Sequence, residues 1–218
     1  MSRLAPTIAL ALAGAVTLSA CSTAEPGRTP DADHTRPVTV TVTGNSAEQI
    51  ILGEIFFQTL QKAGREVALD SDPSSEGPHR LKNLRSGSSD LVIGCTGLFL
   101  FELDPQRAEE LSAEIEAGDV EDPADTTYRE FIGALPGGIT APDPSSAQGC
   151  QGSVEMADMP ELPQGIVPAY NRNLFDRDER KAITDVTRFL TTEEIAALIE
   201  KARATSSASQ AVQEWLPI

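Results

Sequence analysis

Residues 37–94 switch repeatedly between two hydrophobic periods, and this constrains the fold more than any other feature of the chain. Val38, Val40 and Val42 alternate with Thr39, Thr41 and Thr43, which predicts a strand. Gly44 and Asn45 break it. Ser46 then opens a helix, with Gln49 three residues on at the capping-box position. Ile50, Ile51, Ile55 and Leu60 give that helix an apolar face, and Gly64 ends it. Glu66 to Leu69 predict a second short strand. Residues 74–85 predict a second helix, with Leu81 and Leu84 turned inward, and residues 90–94 a third strand, apolar on both faces. Strand–helix–strand–helix–strand is the signature of an α/β fold: a parallel sheet with covering helices.

Past Phe101 the character changes. Asp104-Pro105 starts an acidic helix carrying Glu109, Glu110, Glu114 and Glu116 and ending near Gly118. Residues 128–135 predict another short helix, and residues 136–153 are turn-rich and irregular. Order then returns. Residues 165–170 read as a strand, and residues 176–190 as a helix with Ile183, Val186 and Phe189 at helical spacing. Thr191 caps the next helix, with Glu194 at the capping-box position. Residues 208–216 close the chain, with Trp215 expected in the core.

The first 21 residues, MSRLAPTIALALAGAVTLSAC, carry a positive charge at Arg3, an apolar run from Ile8 to Leu18, and small residues before Cys21. The run is short for a bilayer span, and the order is that of a secretory signal. Leu18-Ser19-Ala20-Cys21 resembles the lipobox of bacterial lipoproteins, which implies a lipidated Cys21 as the mature N-terminus. The expected location is the extracytoplasmic side of the cell membrane, held there by acyl chains. Residues 22–36 are polar, with no apolar periodicity, and read as a flexible tether reaching roughly 20 Å. His34 lies within it and carries no assigned role.

In an oxidising compartment Cys95 and Cys150 form an even pair once Cys21 is set aside, and a disulfide is the default expectation. Closing so long a loop is worth roughly 4 kcal/mol. A metal site is the weaker reading: His34 and His79 are the only histidines, and neither has ligand spacing to a cysteine. The formal charge of −16 argues against nucleic acid as a partner and against an electrostatic grip on anionic lipid.

Four segments in order resemble one family. Gly44-Asn45-Ser46-Ala47-Glu48-Gln49-Ile50-Ile51-Leu52-Gly53-Glu54 is similar to the first strand–helix turn of the glycine betaine/choline (quaternary ammonium) substrate-binding proteins of ABC importers. Asp90 to Gly97, DLVIGCTG, resembles that family's Asp-Leu-x-x-x-Tyr-Thr-Gly segment. Residues 75–87 fall where the family has its Ser-Glu helix, and Leu190-Thr191-Thr192-Glu193-Glu194 resembles its closing helix start. The resemblance implies a periplasmic-binding-protein-like lobe made of residues 37–100 and 165–218. Residues 101–164 stand where the family has a much larger second lobe, and are expected to be a reduced, irregular second lobe or insertion. The resemblance also implies a small zwitterionic or cationic solute and an ABC-transporter permease as partners, with no cofactor. Two departures stand out. Cys95 replaces the family's tyrosine, and Phe99, Tyr128, Phe131 and Tyr170 are the only candidates for an aromatic cage near the cleft, each reading first as ordinary core.

No nucleophile elbow, P-loop or zinc-protease motif occurs. Glu48 and Glu54 share a helix, as carboxylates often do in an acidic chain. Asp119, Glu121, Asp122 and Asp125 lack calcium-loop spacing. Attention therefore falls on the carboxyl edge of the sheet, where α/β folds bind ligands. Asn45 and Ser46 lie at one helix start there. Thr96 and Gly97 follow the third strand at the same edge, and Tyr170 completes the expected ligand-binding set. Helix N–H groups at that edge suit a carboxylate. Ser46 is equally readable as a simple helix cap. A binding protein that lost its pocket and now serves an envelope complex is the alternative function.

Overall fold

The alternating valines of residues 38–42 do form a strand, β1 (Val38–Val42), at the heart of a five-stranded sheet. The computed structural model describes residues 34–44, 46–71, 80–150 and 159–216. The signal, Cys21, most of the tether, Asn45, His79 and the start of the expected second helix lie outside the described residues.

Helix α1 (Ala47–Lys62) follows β1, with Ser46 as its cap. Then come β2 (Val67–Ser71), α2 (Arg80–Ser86) and β3 (Leu91–Cys95). β1 pairs in parallel with both β2 and β3, as the alternating pattern requires. The chain passes straight from β3 into α3 (Thr96–Leu103), a helix without a sequence signal because residues 97–101 are apolar with no clear period. Helix α4 (Pro105–Ala117) is capped by Asp104 and stopped by Gly118, whose φ of 80° suits glycine. Helix α5 (Pro123–Ala134) begins five residues earlier than the sequence suggested, because Asp122 caps it by accepting Asp125 N–H at 3.0 Å.

The expected all-parallel sheet is corrected at its other half. β4 (Ile139–Thr140) and β5 (Ile166–Asn171) extend it in the order β2-β1-β3-β5-β4, and β5 runs antiparallel to both neighbours. The sheet is therefore mixed. Three closing helices follow: α6 (Arg177–Phe189), α7 (Thr192–Thr205) and α8 (Ala208–Trp215). Both α6 and α7 start with complete capping boxes, Asp176 with Glu179 and Thr191 with Glu194.

Side chains alternate across the sheet and build two apolar layers. Val38, Val40, Val42, Leu91, Ile93 and Cys95 face α1, α6, α7 and α8. Val92, Val167 and Ala169 face α2, α3, α4 and α5. Residues 105–140 thus build helices on the second layer and a strand on the sheet's edge, and the described residues 141–150 and 159–164 hold no helix and only an isolated bridge at Gln148. Trp215 packs half-buried against the first layer. Arg36, the last tether residue, makes a two-pronged ion pair with Asp90 at 2.6 and 2.9 Å.

Candidate functional site

The carboxyl ends of β1 and β3 define one edge of the sheet, and what fills that edge decides what the lobe can bind. After β4 the chain crosses to this edge, and it returns into β5. The outgoing arm runs antiparallel to the returning one: Ser145 N–H donates to Ile166 O at 2.9 Å, Ile166 N–H to Ala147 O and Gly149 N–H to Gln164 O, both at 3.0 Å. Cys150 ends the arm and is bonded to Cys95, the last residue of β3, so the expected disulfide is present. Both cysteines are buried, and Cys150 has a φ of 60°, a conformation costly for a residue with a side chain. Cys150 N–H also donates to Glu48 Oε1 at 3.0 Å, tying the arm to the first turn of α1. Residues 141–150 and 159–165 thus form a strap lashed across the ends of β3 and α1.

The strap uses up the N-terminus of α3. Thr96 N–H donates to Gly165 O at 3.0 Å and Gly97 N–H to Pro163 O at 3.1 Å. Leu98 N–H donates to Gln164 Oε1 at 3.0 Å, and Thr96 Oγ1 donates to Pro163 O at 2.9 Å. These are the N–H groups that a bound anion would need. Gly97 is required there: a Cβ on it would lie 2.5 Å from Gln164 Nε2 and 2.8 Å from Leu162 Cβ. Thr96 and Gly97 therefore sit at the expected edge but face the protein's own chain.

At the β1 end the polar groups are not used up. Ser46 Oγ accepts Gln49 N–H at 3.3 Å, half of the expected capping box. The Gln49 side chain does not turn back to complete it. It is 2 % exposed, and neither its Oε1 nor its Nε2 has a hydrogen-bond partner. Gly53, one turn on, packs so closely on β1 and β2 that a Cβ there would lie 2.4 Å from Val42 Cγ1 and 3.0 Å from Leu69 Cδ1. Gln49 shares that face, and helical side chains lean toward the helix N-terminus. Gln49 thus stands on the sheet-facing side of α1, in the first turn of the helix. Leaving such an amide unpaired costs ~1–3 kcal/mol. Gln164 Nε2, on the strap side, is likewise buried without a partner. Sequence reading assigned Gln49 only to the cap; nothing short of the packed structure reveals that its amide is stranded.

The remaining candidates do not converge on this edge. Tyr170 pairs with Leu91, at the amino end of β3, while Cys95 pairs with Ile166 at the other end. That puts Tyr170 four residues, roughly 13 Å, from the carboxyl edge. Its ring lies edge-on to Phe175 at 5.1 Å in the core. Phe99 and Phe131 are fully buried against each other at 5.4 Å between centroids, and Tyr128 packs beside Phe131. The apolar demand of the second layer claims these rings, so the four do not form an aromatic cage. Among the described residues, no group of three His, Cys, Asp or Glu side chains could hold a metal ion.

This chain resembles several solved structures in fold. Over 84% of this chain and 98% of theirs, it superposes on apo YehZ from Escherichia coli with a TM-score of 0.57 and 11% identity. A glycine betaine/carnitine/choline ABC transporter structure matches with a TM-score of 0.58 and 9% identity, over 84% of this chain and 97% of that one. The fold is periplasmic-binding-protein-like. At such identities the likeness speaks for the fold of this binding-protein-like lobe and not for its ligand. No protein-family model matches the chain. No curated protein matches its sequence.

Proposed function

We propose that this chain is an extracytoplasmic lipoprotein, anchored through Cys21, that binds a small zwitterionic solute for an ABC importer. The stranded Gln49 amide carries the reading, because it offers a donor and an acceptor beside the start of a 16-residue helix. Helix N–H groups and the Gln49 amide suit a carboxylate. Glu48, one residue before, supplies a counter-charge for a cationic end. A solved structure of this fold is a glycine betaine/carnitine/choline ABC transporter protein, which sets the compounds to test first. With no aromatic cage among the candidate rings, the carboxylate becomes the main handle, so glycine betaine, carnitine or proline is favoured over choline, which lacks one.

Thermal-shift measurements on the full chain with these four compounds test the proposal. A rise in melting temperature with a carboxylate-bearing solute, absent in Gln49→Leu, is the expected result. No rise with any of them overturns it.

A second reading has its own support. The strap fills the N-terminus of α3 as a ligand would. This favours a binding-protein relative that has closed its pocket and serves an envelope complex. If no solute shifts the melting temperature, this reading gains.

A further inference from the structure

A groove of about 690 Å³ opens at the far end of α1, between that helix, α6 and the last turn of α8. Thr59, Lys62 and Ala63 line it from α1, some 13–17 residues past Ser46 and so ~20 Å along the helix from the candidate solute site. Its floor and rim are largely apolar: Ala182, Val186 and Phe189 of α6 face Trp215 and Leu216.

Three observations set this groove apart from an ordinary surface hollow. Phe189 stands 64% exposed on it, the most exposed large hydrophobic residue among those described. Apolar surface left in water at a concave site marks a place where something binds. Thr59 is 6% exposed in the lining, and its Oγ1, buried beneath the groove, has no hydrogen-bond partner. A helical threonine commonly turns its hydroxyl back on the preceding turn; this one is unspent.

The third observation is charge. Asp178, Asp185 and Glu194 line the groove against a single cation, Lys62, which is itself engaged. Lys181 pairs with Asp185 from an exposed position, and Glu194 accepts Trp215 Nε1–H at 3.4 Å while its other oxygen accepts Thr191 N–H. That leaves the lining net negative around an aromatic and aliphatic floor. An apolar body would cover Phe189 and Val186, and a positive charge would meet the carboxylates and the rings of Trp215 and Phe189.

We propose that this groove is a second binding site, for an organic cation that carries its charge on an apolar body, such as an aromatic or alkyl amine. It does not depend on the solute site at the start of α1.

Trp215 is the only tryptophan in the chain, so its emission reports on the groove directly. The full-length chain in phosphatidylcholine vesicles is titrated with phenethylamine, which is protonated at neutral pH, with neutral benzyl alcohol, and with anionic phenylacetate. Phenethylamine is expected to give a saturating change in Trp215 emission that phenylacetate does not give. Asp178→Asn should weaken phenethylamine ~fivefold, the size expected of one partly exposed charge pair. Glycine betaine should not compete. Equal saturation by benzyl alcohol and phenethylamine, or none by either, overturns the proposal. So does a concentration-dependent dimer that Phe189→Ser disperses, which would give the groove to a second copy of the chain.

Discussion

Gln164 Oε1 accepts the backbone N–H of Leu98 at 3.0 Å, so a side chain from the returning strap does at the N-terminus of α3 what a bound anion would do. With the carbonyls of Pro163 and Gly165 it leaves the first turn of that helix fully satisfied. Gln164→Leu should strand the buried Leu98 N–H and cost ~1–3 kcal/mol. Gly97→Ala should also destabilise, because the added methyl meets Gln164 and Leu162 inside contact distance. Urea unfolding of each variant measures the loss; no change in either would mean that the strap is not held by these contacts.

The strap's other tie is covalent. Thiol counting on the unreduced, folded chain should find Cys95 and Cys150 unreactive, since both are buried and bonded to each other. Replacing both with alanine releases a loop spanning 55 positions and should lower stability by roughly 4 kcal/mol. Two titratable thiols from these positions would contradict the structure outright.

Gln49 gives a test whose two readouts separate. Gln49→Leu removes an unpaired buried amide, so the ligand-free protein should be as stable or more stable. The same change should abolish any solute-induced rise in melting temperature. A variant that is destabilised without ligand would show that the amide serves the fold.

Arg65 and Glu179 make a two-pronged, almost fully buried ion pair at 2.6 and 2.8 Å, with Arg65 also donating to the Leu174 carbonyl. It joins the end of α1 to the start of α6. Arg65→Met leaves a buried carboxylate without its cation and should cost ~3–5 kcal/mol. Replacing Glu179 with leucine as well should recover much of that loss, which a double-mutant cycle by denaturant unfolding reads directly.

Alkaline pH should unfold the lobe through its tyrosines, of which the chain has two. Burial, and then the nearby Asp143 carboxylate, push the Tyr128 hydroxyl up to about 12, and burial also raises Tyr170. The unfolded chain loses these protons near pH ~10. The folded state binds more protons above that point, so stability is intact below it and falls as pH rises toward about 12. Phenolate absorbance should therefore appear together with loss of helical circular dichroism. Ionisation at pH ~10 without unfolding would show that the rings are not buried.

Elements with a strong local signal were readable in advance. Alternating valines made β1, the apolar spacing of Ile183 and Val186 marked α6, the Thr191 box opened α7, and Gly118 closed α4. Helix α3 was hidden, because an apolar run carries no period to separate helix from strand. The two-residue β4 was hidden too, because its partner lies about thirty positions away along the chain.

The candidate site divides along the same line. Sequence alone determined the residue types at the sheet's carboxyl edge, since strand ends and helix starts are written in local turn and cap residues. It also determined that Cys95 and Cys150 were available to pair. Only the tertiary structure decided that β5 runs antiparallel, which carries Tyr170 to the opposite edge. It alone decided that the strap spends the amides of α3 and leaves the Gln49 amide unspent. Whether a hydrogen-bonding group is satisfied depends on what reaches it from distant parts of the chain, and no local pattern encodes that.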